Sequence, residues 1–138
     1  MPARDIYHSA VRHSLEKEGW IVTDDPYTLR AGGFLMYIDL GVERLIVAEN
    51  GFEKIAVEVK CFNQNSDISE FHSALGQYIN YSIALAEQEP DRVLYLAVPY
   101  NTYETFFSQR FIESVIKRNN VKLIVFKPDD EVIVKWRN

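Results

Sequence analysis

At 138 residues, with 47% hydrophobic and 25% charged side chains, the chain has the length and composition of one globular domain, residues 1–138, and not of a disordered or low-complexity segment. A net charge of −5 disfavours broad, sequence-independent DNA binding, which rests on neutralising phosphates with Lys and Arg. No apolar run is long enough to span a bilayer and the N-terminal stretch lacks a signal-peptide core, so a cytoplasmic protein without membrane attachment is expected; the single cysteine, Cys61, fits a reducing compartment.

Charge is unevenly spread. From Arg110 to Asn138 seven basic residues stand against four acidic ones, an asymmetry compatible with a nucleic-acid or acidic-partner face and equally with a mixed solvated surface.

In chain order, Asp5 to Glu18 reads as a helix, with Tyr7, Val11 and Leu15 four residues apart, Gly19 as its stop, and Pro2 and Asp5 suited to its start. Asp5, His8 and Arg12 form a polar stripe beside the apolar one, and Asp5 and His8 are auxiliary site candidates only if this helix crosses the open end of the hairpin that follows. Gly19 to Thr23 reads as a short strand, ended by the turn Asp24-Asp25-Pro26. Residues 27–33 read as a connector with Gly32-Gly33 as its flexible point, and Phe34 to Ile38 leads into the next strand.

Ile38 to Lys60 holds two alternating runs joined at Asn50-Gly51, a pair suited to a two-residue type I′ turn. Leu45 to Glu49 and Lys54 to Lys60 are therefore expected to lie antiparallel, with Asp39 entering the first strand and Glu58-Val59-Lys60 closing the second. The period of two puts Glu58 and Lys60 on one face of their strand and Val57 and Val59 on the other. Two carboxylates and an ammonium would then share one small volume, a grouping that suits metal-dependent phosphodiester hydrolysis and is also common as ion pairs on a solvated sheet face.

Beyond a polar stretch at residues 63–66, Asp67-x-x-Glu70 reads as a capping box opening a long helix to about Glu89. Its core stripe is expected at Ile68, Phe71, His72, Leu75, Ile79, Ser82, Ile83 and Ala86, with His72 partly buried. Gln77 and Tyr81, four apart, share a side of this helix and either bond structurally or reach the hairpin's carboxylate end and a bound phosphate. Arg92 to Val98 reads as a strand buried on both faces, Thr102 to Asn119 as a helix, and Val121–Phe126 and Glu131–Trp136 as two further strands.

The order helix, strand, hairpin, helix, strand, with Asp39 on the hairpin and Glu58-x-Lys60 on its second strand, resembles the PD-(D/E)XK nuclease core. That resemblance implies an α/β, restriction-endonuclease-like fold: a central mixed β-sheet with an antiparallel hairpin, flanked by helices. It further implies Asp39, Glu58 and the Val59 carbonyl as ligands of Mg²⁺ or Mn²⁺, and Lys60 as the residue positioning the attacking water. Gln77-x-x-x-Tyr81 resembles the corresponding element of the RecB-like branch, which implies that both side chains position phosphate at the same site. Ile38 stands where the superfamily name has proline.

Longer blocks resemble the XisH family: M-P-A-R-D-I-Y-H-S-A-V, I-A-V-E-V-K-C-F, F-H-S-A-L-G-Q-Y-I-N-Y and P-D-R-V-L-Y-L-A-V-P-Y-N-T-Y-E-T-F-F. The resemblance implies a cyanobacterial factor controlling excision of the fdxN element, acting on DNA with a site-specific recombinase and a small companion, XisI. Two expectations follow: an Mg²⁺-dependent DNA endonuclease, or a catalytically silent accessory that binds the companion, DNA or both. The oligomeric state stays open, a homodimer being one option.

Overall fold

Period-two alternation divides the central strands between two apolar layers, and the helices take their places accordingly. The computed structural model describes residues 3–62 and 66–138, so Pro2 and most of the polar stretch at residues 63–66 lie outside the described residues. Helix α1 (Ala3–Lys17) is followed by β1 (Ile21–Asp24), β2 (Tyr27–Ala31), β3 (Phe34–Ile38), β4 (Leu40–Ile46) and β5 (Gly51–Val59). Helix α2 (Asp67–Gln88) leads to β6 (Arg92–Pro99), then to the short helix α3 (Tyr100–Thr102), which runs into a π-helical turn at Tyr103–Phe107. Helix α4 (Arg110–Arg118), β7 (Leu123–Lys127) and β8 (Val132–Arg137) complete the order.

The main sheet is mixed, in the order β1-β4-β5-β6-β7-β8. Strands β5, β6 and β7 are parallel, and the other pairings are antiparallel. Ile55, Val57 and Val59 of β5 join Tyr95, Ala97, Ile124 and Phe126 in one layer against Val11 and Leu15 of α1. Ala56, Leu94, Leu96, Val98, Leu123 and Val125 face the other layer, which α2 and α4 close with Phe71, Tyr78, Leu85, Ile112 and Ile116. The sheet is thus flanked by helices on both faces, as expected for its parallel centre.

Several local readings change. Asn50-Gly51 does not form a two-residue turn: Ile46 pairs with Gly51, a 3₁₀ turn at Val47–Glu49 carries the chain round, and Asn50 alone takes the left-handed conformation, at φ +53°. The two-residue turn lies instead at Gly32-Gly33, φ +54° and +86°, between the paired residues Ala31 and Phe34. Residues 27–33 are therefore no connector; β2 and β3 form a separate two-stranded hairpin, whose inner residues Tyr27, Leu29 and Ile38 are buried in the α2 layer.

Ser66, not Asp67, caps α2, its side chain accepting from the Ser69 N–H at 3.3 Å. The buried face of α2 is Phe71, Ala74, Tyr78, Tyr81, Ala84 and Leu85; Ile68, His72, Ile79 and Ile83 of the expected stripe are exposed. Both sets repeat at helical spacing, so periodicity alone could not choose between them.

The segment expected as one helix from Thr102 to Asn119 breaks at Ser108-Gln109. Its π turn brings the adjacent Phe106 and Phe107 both into the core, where they meet Phe62 and Phe71 edge-on or tilted. A regular α-turn sets neighbouring side chains about 100° apart. Phe62 itself turns out of β5 in the left-handed region, at φ +53°.

At the end of the sheet where β6 begins, Arg92 is buried among acceptors. Its guanidinium donates to the Ile55 carbonyl at 2.9 Å, to Glu89 at 2.8 Å and to Glu43 at 3.1 Å, and lies 4.8 Å from the centre of the Tyr27 ring. It thereby joins β4, β5, β6 and the end of α2. Arg92→Ala leaves these acceptors around an apolar gap, and a loss of about 3–5 kcal/mol in urea unfolding is expected; a change under about 1 kcal/mol would show that the cluster adds no net stability.

Candidate active site at the carboxyl end of β5

Glu58 is a buried carboxylate inside an otherwise apolar run, Ile55 to Val59, with 7% of its surface exposed. Its position in the strand alternation turns it to the face that α2 covers, along with Ala56, while Val57 and Val59 pack toward α1, as the period of two requires. Asp39 sits in the single-residue gap between β3 and β4. Strands β4 and β5 are antiparallel, with Leu40 opposite Val57, so Asp39 arrives beside Glu58 and Val59.

Each carboxylate accepts a backbone N–H from the other's strand segment. Asp39 Oδ2 accepts from the Val59 N–H at 2.8 Å, and Glu58 Oε1 accepts from the Asp39 N–H at 3.2 Å. Lys60 Nζ lies 3.4 Å from Glu58 Oε2 and donates to Gln77 Oε1 at 2.5 Å. The Lys60 N–H donates to the Ala97 carbonyl at 3.0 Å, which keeps the residue aligned on β6 just past the end of its own strand. Lys60 thus connects β5 to α2 through a charge pair and a charge-assisted hydrogen bond.

Burial, and next the negative charge of Asp39, push the Glu58 carboxyl up to about 7, against a partial opposing pull from Lys60. A carboxyl raised toward neutrality by burial and by a second carboxylate is a feature seen at functional sites more than on ordinary surfaces.

Asp39, Glu58, Val59, Lys60, Gln77 and Tyr81 line one cavity of ≈ 520 Å³, together with Pro26, Tyr37, Cys61 and Glu70. All residues expected at the catalytic and phosphate-positioning centre therefore meet. The two auxiliary candidates do not reach it. Asp5 is exposed in the first turn of α1, and His8 Nε2 lies 3.0 Å from Asp25 Oδ1, where Arg12 Nη1 also donates to Asp25 at 2.6 Å. Helix α1 thus grips the turn that carries Pro26 to the cavity wall without entering the cavity.

Glu70, read in the sequence only as part of a capping box, and Tyr37 also line the cavity. Glu70 stands seven residues before Gln77 and eleven before Tyr81, so helical spacing could have placed it on the same side of α2. Tyr37 reaches the cavity from the β2–β3 hairpin, which the connector reading had hidden. Among the described residues no group of three or more His, Cys, Asp or Glu side chains is arranged to hold a metal ion.

The model of the XisH protein family matches residues 1–134, a span that includes every residue of this cavity. The chain belongs to the XisH family. It is 48% identical to an XisH family protein of known crystal structure from Nostoc punctiforme, covering 97% of this chain and 100% of that one, with a TM-score of 0.89. It is 50% identical to a crystallised protein from Anabaena variabilis described as an fdxN element excision controlling factor, with 98% and 100% coverage and a TM-score of 0.90. No curated protein matches. Among the described residues no helix is long and apolar enough to cross a membrane.

The raised Glu58 carboxyl sets the direction of a pH effect. The folded chain holds this proton more tightly than the unfolded chain, so its contribution to stability is complete below about 4.5 and declines as pH rises through about 7. Glu58→Gln is expected to remove this decline, of order 1–3 kcal/mol, between unfolding curves taken near pH 5 and pH 8. An unchanged slope in the variant would assign the decline elsewhere.

Proposed function

We propose that this XisH protein acts in DNA excision as a divalent-metal-dependent phosphodiesterase, with Asp39, Glu58 and Lys60 at its centre. The observation that carries the reading is the pairing of Asp39 with the buried Glu58 carboxylate at the wall of one cavity, with Lys60 beside them. The mixed sheet, with the site on an antiparallel hairpin beside parallel strands, supports a restriction-endonuclease-like core as its scaffold. The excision role follows the description of the Anabaena variabilis relative; DNA, a site-specific recombinase and an XisI-like companion are proposed as partners from the family resemblance of the sequence blocks alone.

The donor set fits Mg²⁺ or Mn²⁺. Two carboxylates and the Val59 carbonyl fall short of an all-protein cage, which suits hard ions that keep several waters and bind partly through substrate phosphate. Bound there, the ion would stabilise negative charge on the phosphate under attack. Relief of the repulsion between Asp39 and Glu58 would favour the ion's entry once the Glu58 proton leaves.

The protein's own groups would do the rest. Lys60, held by Gln77 and Glu58, offers a fixed ammonium to the attacking water and to the developing oxyanion. Gln77 and Tyr81 border the space in which the phosphate would lie and limit its orientations.

A specific observation favours a second reading, the silent accessory. Lys60 is engaged on two sides, by Glu58 and by Gln77, and such a closed network can serve purely to tie α2 to the sheet. Cleavage of linear, supercoiled and branched DNA separates the two. With Mg²⁺ or Mn²⁺ the wild-type protein is expected to cut, EDTA and Asp39→Ala to abolish cutting, and Lys60→Ala to slow it by about 100-fold or more. Wild-type protein that cuts none of these DNAs, alone or with the companion, would leave the accessory role standing.

A further inference from the structure

A second cavity, of ≈ 590 Å³, lies directly beside the candidate active site, and Cys61 lines both. It occupies the edge of the sheet where the parallel strands end: β5 at Val59, β6 at Pro99 and β7 at Lys127. In open α/β sheets the crevice outside the carboxyl ends of parallel strands is where ligands bind. Its volume falls within the roughly 300–1,000 Å³ of small-molecule sites.

The lining has a defined chemistry. Tyr100 contributes an aromatic ring over which the Lys127 ammonium sits, 4.9 Å from its centre, and Asn101, Asp129 and Asp130 line the same space. A flat ring can stack on Tyr100 once the flexible Lys127 side chain swings off it to meet a phosphate, and the carboxylates of Asp129 and Asp130 accept hydrogen bonds and offer none. Asn101 offers both a donor and an acceptor. Aromatic plate, cation, amide and two carboxylates together suit one nucleotide, best one whose base carries an exocyclic amino group, which in adenine, cytosine and guanine supplies two N–H donors where thymine has only its ring N–H.

We infer that this cavity takes a single unpaired nucleotide adjoining the phosphate held at the Asp39–Glu58–Lys60 site. The inference rests on the nucleic-acid part of the proposed function and adds a substrate class: DNA with an unpaired or extruded nucleotide beside the scissile bond. A base inside an intact duplex cannot enter such a cavity, so unpairing would precede binding, at least cost where the base is already mismatched or single-stranded.

The test is fluorescence anisotropy with the Glu58→Gln protein, which should leave DNA uncut, on fully paired duplexes and on duplexes with one unpaired A, C or T. Unpaired A or C is expected to bind about tenfold more tightly than the paired duplex, the size of one base–aromatic stack, and unpaired T less tightly than either. Tyr100→Ala should remove the advantage of the unpaired base. Asn101→Ala, an exposed position whose loss spares the core, should narrow the difference between A or C and T. Thermal unfolding of each variant checks that it is folded.

Equal affinity for paired and unpaired DNA, or a preference that survives Tyr100→Ala, overturns the inference. Cleavage by the wild-type protein, run on the same DNAs with Mg²⁺, keeps the two claims apart. Cutting without a preference for the unpaired base defeats this inference alone, whereas a preference without cutting upholds it and defeats the phosphodiesterase reading. No binding to any DNA overturns both.

Discussion

The constraint on which the site depends is the alternation of β5. This strand pairs with β4 on one side and β6 on the other, and its second half is buried, so each side chain there must enter one of two packed layers. Placing Glu58 in that run sets a carboxylate where an apolar side chain would otherwise pack. Such a group is tolerated only with partners. The Asp39 N–H and Lys60 supply them, and Asp39 in turn is tied to the Val59 N–H.

The same alternation brings α2 into the site. Since Glu58 and Lys60 face the layer that α2 covers, the helix must present something polar where it crosses them, and Gln77 does so. The buried face of α2 is apolar on both sides of Gln77, through Phe71 and Ala74 before it and Tyr78, Ala84 and Leu85 after it, with the Tyr78 hydroxyl donating to the Leu94 carbonyl and accepting from the Lys122 N–H. One helix therefore closes the core along one face and borders the polar cavity along its flank, from Glu70 to Tyr81. At the other end of the sheet, buried Arg92 joins β4, β5, β6 and the end of α2, so the framework is held by polar contacts at both ends and by apolar packing between them.

The mixed topology also explains why two cavities adjoin. Strands β5, β6 and β7 run parallel and finish at one edge, and the chain leaves each of them by a different path: Cys61-Phe62, Tyr100 and Pro128. Divergence of these exits opens space beside the carboxylate pair. An antiparallel meander would have crossed that edge with short turns instead.

Much of this was legible beforehand. Asp39, Glu58, Lys60, Gln77 and Tyr81 do line one cavity, because strand and helix periods are local properties that survive folding. Tyr37 and Glu70 were not assigned to the site, the first because Gly32-Gly33 was read as a flexible point when it is the turn of a separate hairpin, the second because it was read as a helix cap. The face of α2 was misassigned in part, since Phe71 is buried as expected but Ile68, Ile79 and Ile83 compete with Ala74, Tyr78 and Leu85 at the same spacing. The break at Ser108-Gln109 was missed because the packing of Phe106 and Phe107 against Phe62 and Phe71 overrides a continuous helical pattern.

By itself the sequence determined the family, the chemical character of the site and which residues share a strand face or a helix side, all of which follow from residue identity and the periods of 2 and 3.6. Tertiary structure alone decided which of two apolar stripes on α2 is buried, that His8 turns to Asp25 and away from the cavity, and that Glu58 is desolvated beside Asp39. These depend on which surfaces meet, and burial and electrostatic coupling exist only once distant segments are packed against one another.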